Sequence, residues 1–118
     1  MKKIYFFKLC RDANGPALEL SKGYEFRYGK LVYGISKLDD FWSATEISTG
    51  LSVNVFAHKL KDMEDAFKKY EEDGTMKRIE NKILIEDDEN ILYAQKLVHE
   101  KVGEAIKAHM KDFMNNQH

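Results

Sequence analysis

Glu86-Asp87-Asp88-Glu89 is the densest acidic run in the chain, and neighbouring carboxylates can hold a hard cation or act as general acid and base. No oxygen-ligand loop with a positioned glycine accompanies the run. It stands immediately before a long helical pattern, where carboxylates cap free amides and complement the helix dipole. We read it as a helix start, with no metal implied. The four histidines, His58, His99, His109 and His118, include no pair at the i, i+4 spacing that brings two imidazoles onto one helical face. Cys10 has no C-x-x-C companion for a zinc site. It ends an apolar run, where a free thiol reads as a small buried hydrophobe rather than a nucleophile. The glycines are scattered singly and form neither a dinucleotide fingerprint nor a P-loop. No catalytic residue and no cofactor follows from these residue types and spacings.

Aromatic residues are the other candidates: the chain has one Trp, six Tyr and seven Phe. Lys22-Gly23-Tyr24-Glu25-Phe26-Arg27-Tyr28 resembles the aromatic strand of the RNA-recognition-motif family over these residues. The resemblance implies Tyr24, Phe26 and Tyr28 stacking on single-stranded bases, with Lys22, Arg27 and Lys30 on phosphates. Glu25 stands where that motif has a small residue, and Gly29 where it has its last aromatic. The same rings also fit one face of an antiparallel strand packed on a core. Trp42, beside a tight turn, reads either as an anchor of a binding surface or as the core's largest side chain.

These residues must be positioned by a sheet and helices. Ile4 to Cys10 suits a first strand, ended by the turn cluster Asp12-Ala13-Asn14-Gly15-Pro16 and followed by a loop. Tyr24, Phe26 and Tyr28 alternate with Glu25 and Arg27. Gly29-Lys30 can close a tight II′-type turn, and Leu31, Tyr33 and Ile35 alternate on the return. Lys37 to Asp40 makes the next turn. Phe41 to Phe56 reads as another hairpin, with Ser48-Thr49-Gly50 at its turn. From Leu60 the period changes. Leu60, Met63, Ala66, Phe67 and Tyr70 share one face of a helix expected to run from Lys61 to Asp73 and to stop at Gly74. Ile83-Leu84-Ile85 predicts a short buried strand over 82–85. A final helix from Asp87 or Asp88 to about Asn115 carries the stripe Ile91, Ala94, Leu97, Val98, Val102, Ala105, Ile106, Met110 and Phe113.

The expected fold is α+β: one domain over residues 1–118, an antiparallel meander of about five short strands with two packed helices, the C-terminal one long. Charge is nearly balanced, 19 basic against 20 acidic side chains, so the chain lacks the field of a duplex-binding protein. The single cysteine excludes an intramolecular disulfide and suggests a reducing, cytoplasmic setting. No apolar stretch approaches membrane-spanning length. Bulk on both sheet faces, with helices for one only, suggests that a second copy of the chain covers the other.

The expected function is a non-enzymatic protein-interaction module that forms a homodimer, using Tyr24, Phe26, Tyr28, Trp42, Met110 and Phe113. A single-stranded nucleic-acid-binding module and a small ligand-binding protein or enzyme are the alternatives. In size and composition the chain looks like short accessory proteins of bacteriophages and mobile elements, some of which inhibit host enzymes.

Overall fold

The computed structural model describes the backbone of residues 1–115 and, Asp12 apart, the side chains of residues 1–108. Alternating side chains and glycine-bearing turns produce five antiparallel strands: β1 (Lys3–Asp12), β2 (Gly15–Tyr28), β3 (Leu31–Leu38), β4 (Phe41–Glu46) and β5 (Leu51–Ala57). They lie in the order β1-β2-β3-β4-β5, an uninterrupted meander. The expected loop after the first strand is a two-residue turn. β1 and β2 pair from Lys3 opposite Tyr24 to Asp12 opposite Gly15, with Gly15 at φ 108°. Gly29 takes φ 58° in the β2–β3 turn, a conformation that costs glycine little. Asn54, also at positive φ, sits where the β4–β5 register slips between Ser43 and Thr45.

A single 3₁₀ turn (Leu60–Asp62) leads into α1 (Met63–Glu72), followed by α2 (Thr75–Leu84) and α3 (Glu89–Asn115). The class is α+β, with three helices rather than two. Gly74 has the left-handed conformation expected of a helix terminus, φ 84°. It is at once the end of α1 and the start of α2, so residues 82–85 are not a strand. Met76, Ile79 and Ile83 recur at helical spacing, and that period prevails over the β-branched run at its end. Asp88 caps α3: its carboxylate accepts the amides of Asn90 at 2.9 Å and Ile91 at 3.2 Å.

α1 and α2 cover one sheet face. Leu31, Tyr33 and Ile35 of β3, Ala44 of β4 and Val55 of β5 meet Met63, Phe67 and Met76 there, forming the core cluster. α3 buries Ile91, Ala94 and Val98, and packs near the β4–β5 turn and the β2 end of the first hairpin through Val98 and Leu97. It has 27 residues, hence about 40 Å at about 1.5 Å rise per residue, and from Glu104 to Ala108 every side chain is exposed. Among the described residues no helix is long and apolar enough to cross a membrane.

The second face is not the broad apolar surface expected from the sequence. The sheet coils until its edges meet: the Leu9 amide donates to the Gly50 carbonyl at 2.7 Å. Small residues permit this, because a coiled sheet crowds its inner side. Phe6 is buried on that side with its ring against Gly34 and Gly23. A Cβ on Gly23 would lie 2.0 Å from the Ile35 carbonyl oxygen. Gly23→Ala must therefore push β2 from β3, at an expected cost of about 3 kcal/mol. A urea midpoint equal to wild type would show that the strands can separate freely.

Candidate functional site

An apolar cleft lies between β5, α2 and the start of α3. Leu51 and Val53 form one wall, Ile79 and Ile83 of α2 another, and Tyr70 and Ile91 close it, around a volume of about 390 Å³. The bulge at Asn54 helps shape this wall, since a slipped register re-aims the side chains of the strand carrying it. Lys82 is the one charged residue in the lining. The same α2–α3 corner leaves four large apolar side chains in solvent, with Leu84 51%, Ile85 71%, Leu92 51% and Tyr93 53% exposed. Leu84 and Ile85 follow Ile83 in sequence and Leu92 and Tyr93 follow Ile91, and Ile83 and Ile91 both line the cleft.

The aromatic strand is placed elsewhere. Tyr24, Phe26 and Tyr28 are half-buried and packed against the core cluster. Phe26 and Tyr28 rings stand 4.9 and 5.2 Å from Phe67, so these faces are occupied by α1 rather than offered to bases. Trp42 is also half-buried against the cluster, 6.0 Å from Tyr24. Met110 and Phe113 lie in the last turns of α3, and their side chains are outside the described residues. The structure thus packs Tyr24, Phe26, Tyr28 and Trp42, each half-buried, against the core cluster.

The Tyr28 hydroxyl donates to the Glu71 carboxylate, tying β2 to the end of α1. That bond, then desolvation, then the Glu71 charge push the Tyr28 pKa up from 10.0 to about 12. A pKa raised on folding contributes stability that is full below the unfolded value near 10 and is lost as pH rises through about 12. The thermal midpoint of wild type should therefore fall more steeply across that window than that of Tyr28→Phe. Parallel curves would show that the hydroxyl is not so engaged.

Among the described residues no three His, Cys, Asp or Glu side chains gather as metal ligands. The Cys10 thiol is pushed up by burial and by its hydrogen bond to Glu19. A thiol raised in this way keeps its proton, the reverse of what a nucleophile requires. The His58 ring packs against Phe41 in a tilted arrangement, centroids 4.5 Å apart, and His99 is exposed.

Two features were not read from the sequence. Ile79 and Ile83 as cleft walls were hidden by the strand assignment, although Gly74 followed by apolar residues at helical spacing was the available signal. Glu46 gave none. It is 2% exposed, and its carboxylate accepts from the Ser48 amide at 3.0 Å, the Thr49 amide at 2.9 Å and the Thr49 hydroxyl at 2.7 Å, holding the β4–β5 turn. Comparison of the chain with protein-family models, curated proteins and solved structures returned no match.

Proposed function

We propose that the protein is a non-enzymatic interaction module that docks an apolar segment of a partner protein at the α2–α3 corner. The observation that carries this is the exposure of Leu84, Ile85, Leu92 and Tyr93 beside an apolar cleft of about 390 Å³. Desolvated aliphatic and aromatic anchors around a pocket are what protein interfaces use as energetic centres. Binding of this kind suits a short accessory protein that acts by occupying its target. The test is affinity capture from the native cell with wild type and with Ile85→Asp and Tyr93→Asp. Both substituted positions are solvent-facing, so the variants should keep the wild-type thermal midpoint. A partner held by wild type should be lost from both variants, since a charge at an interface anchor weakens binding by roughly 30-fold or more. Retention of the same proteins by all three would refute the docking site.

A second reading, homodimerisation through the outer half of α3, is favoured by Val102 at 40% and Ile106 at 58% exposure on the stripe that is buried at Ile91 and Val98. Sedimentation at micromolar concentration should then give twice the 13.8 kDa chain mass. Ile106→Asp should return it to the monomer, because a charge would be buried without a partner. A wild-type monomer at high concentration excludes this reading.

A further inference from the structure

We propose that the hollow inside the coiled sheet binds a small neutral polyhydroxylated molecule of monosaccharide size. This site is on the opposite face of the sheet from α1 and α2 and does not depend on the docking corner. The hollow encloses about 480 Å³ and draws its lining from all five strands, a volume in the range of small-molecule sites. It exists because Phe6, resting on Gly34, plugs one part of the coil while hydroxyl-bearing residues line the rest.

Five hydroxyls face the space from four successive strands: Ser21, Ser36, Ser43, Thr45 and Ser52. The register sets Ser36 opposite Ser43 and Thr45 opposite Ser52, so these four form a continuous band rather than scattered polar points, while Ser21 pairs with Phe6. Each hydroxyl both donates and accepts. That band matches a ligand whose own groups do both, whereas a carboxylate or phosphate would use only the donors.

Ser36 indicates that the band is more than spacing for the coil. It is 3% exposed, and its Oγ has no hydrogen-bond partner among the described residues. A buried hydroxyl left unpaired costs free energy, and alanine would fill the position without that penalty. A ligand hydroxyl at the floor of the hollow supplies the missing partner.

The charges on this face cancel. Lys8 and Glu19 both line the hollow and are directly opposite in the β1–β2 register. Lys22 and Lys37 reach the lining from strand positions adjacent to Ser21 and Ser36, and strand alternation sends their side chains to the other face. A neutral ligand therefore fits better than an ion. At the mouth, Phe56 is 46% exposed and Leu38 56%. An aromatic ring beside a polar band is the surface that the apolar C–H face of a pyranose requires.

Cys10, the one cysteine of the chain, also lines the hollow, which makes its alkylation by iodoacetamide a direct readout. The native full-length protein would be alkylated at mildly alkaline pH with glucose, galactose, mannose or N-acetylglucosamine, and in parallel with inorganic phosphate. At least one of the sugars should slow the reaction saturably. In Ser36→Ala and Ser43→Ala, which remove one hydroxyl each and should stay folded, Ser36→Ala melting at or above the wild-type temperature because it sheds an unpaired buried hydroxyl, the protecting concentration should rise by about tenfold, the effect of one lost hydrogen bond. Three outcomes would overturn the proposal: no protection by any of these sugars, undiminished protection in both variants, or protection by phosphate alone.

Discussion

Replacing Phe67 with alanine is expected to destabilise the protein by about 3–5 kcal/mol. Phe67 has no exposed surface. Its ring stands 4.9 Å from Phe26, 5.2 Å from Tyr28 and 4.8 Å from Tyr33, joining α1 to β2 and β3 at a single point. Truncation removes the transfer free energy of the ring and leaves a cavity walled by three aromatics, which collapse poorly because each is tied to its strand. The check is urea unfolding, where the midpoint should fall while the slope is unchanged, since the surface exposed on unfolding stays nearly the same. A loss below about 1 kcal/mol would mean that the helix is not anchored through this ring.

Glu46→Ala should have the next largest effect, roughly 2–5 kcal/mol, because the Ser48 and Thr49 amides would each lose a partner at a cost of about 1–3 kcal/mol. The cost is not that of a charge pair: no salt bridge to Glu46 is found among the described residues. The carboxylate acts as a template for residues Ile47 to Gly50, with the Gly50 amide bonded to the Glu46 carbonyl at 2.8 Å. Glu46→Gln keeps the shape and one accepting oxygen but sets an amide NH₂ against donors. It should therefore cost less, roughly 1–2 kcal/mol. Urea midpoints rank the two variants, and faster amide exchange at Ser48 and Thr49 localises the damage to the turn. Equal midpoints for wild type and both variants would show that the turn forms without its template. Because Gly50 also accepts the Leu9 amide, loosening this turn should loosen the meeting of the sheet edges.

Four strands, the second half of β2 and the first and last helices were legible because their determinants are local, whereas the first half of β2, Gly15 to Gly23, reads as loop. Tyr24, Phe26 and Tyr28 alternate about a turn glycine, and the period changes to 3.6 at Leu60, so hydrogen-bonding geometry and side-chain direction follow from neighbours a few residues apart. Asp88 as a cap belongs to the same class, since the groups it satisfies are two and three residues ahead. The run Ile83-Leu84-Ile85 was misread for a local reason too: a run this short has no measurable period, and β-branched content alone pointed to a strand.

The coil of the sheet, the hollow and the exposed apolar residues at the α2–α3 corner were decided only by tertiary structure. The sequence shows Ser36 in β3 and Ser43 and Thr45 on alternate positions of β4, but not that Phe6 rests on Gly34 or that Leu9 reaches Gly50. Those contacts join residues distant along the chain, and whether they form depends on twist accumulated over five strands, which no short window contains. Glu46 makes the same point from the other side. Its partners are its sequence neighbours, yet its burial comes from the packed sheet, and burial is what turns an ordinary carboxylate into the template of a turn. The sequence by itself determined which segments are strand and which are helix over most of the chain. Packing determined which of their side chains were left facing a cleft, a hollow or solvent, because burial belongs to the assembled fold and not to any one segment of it.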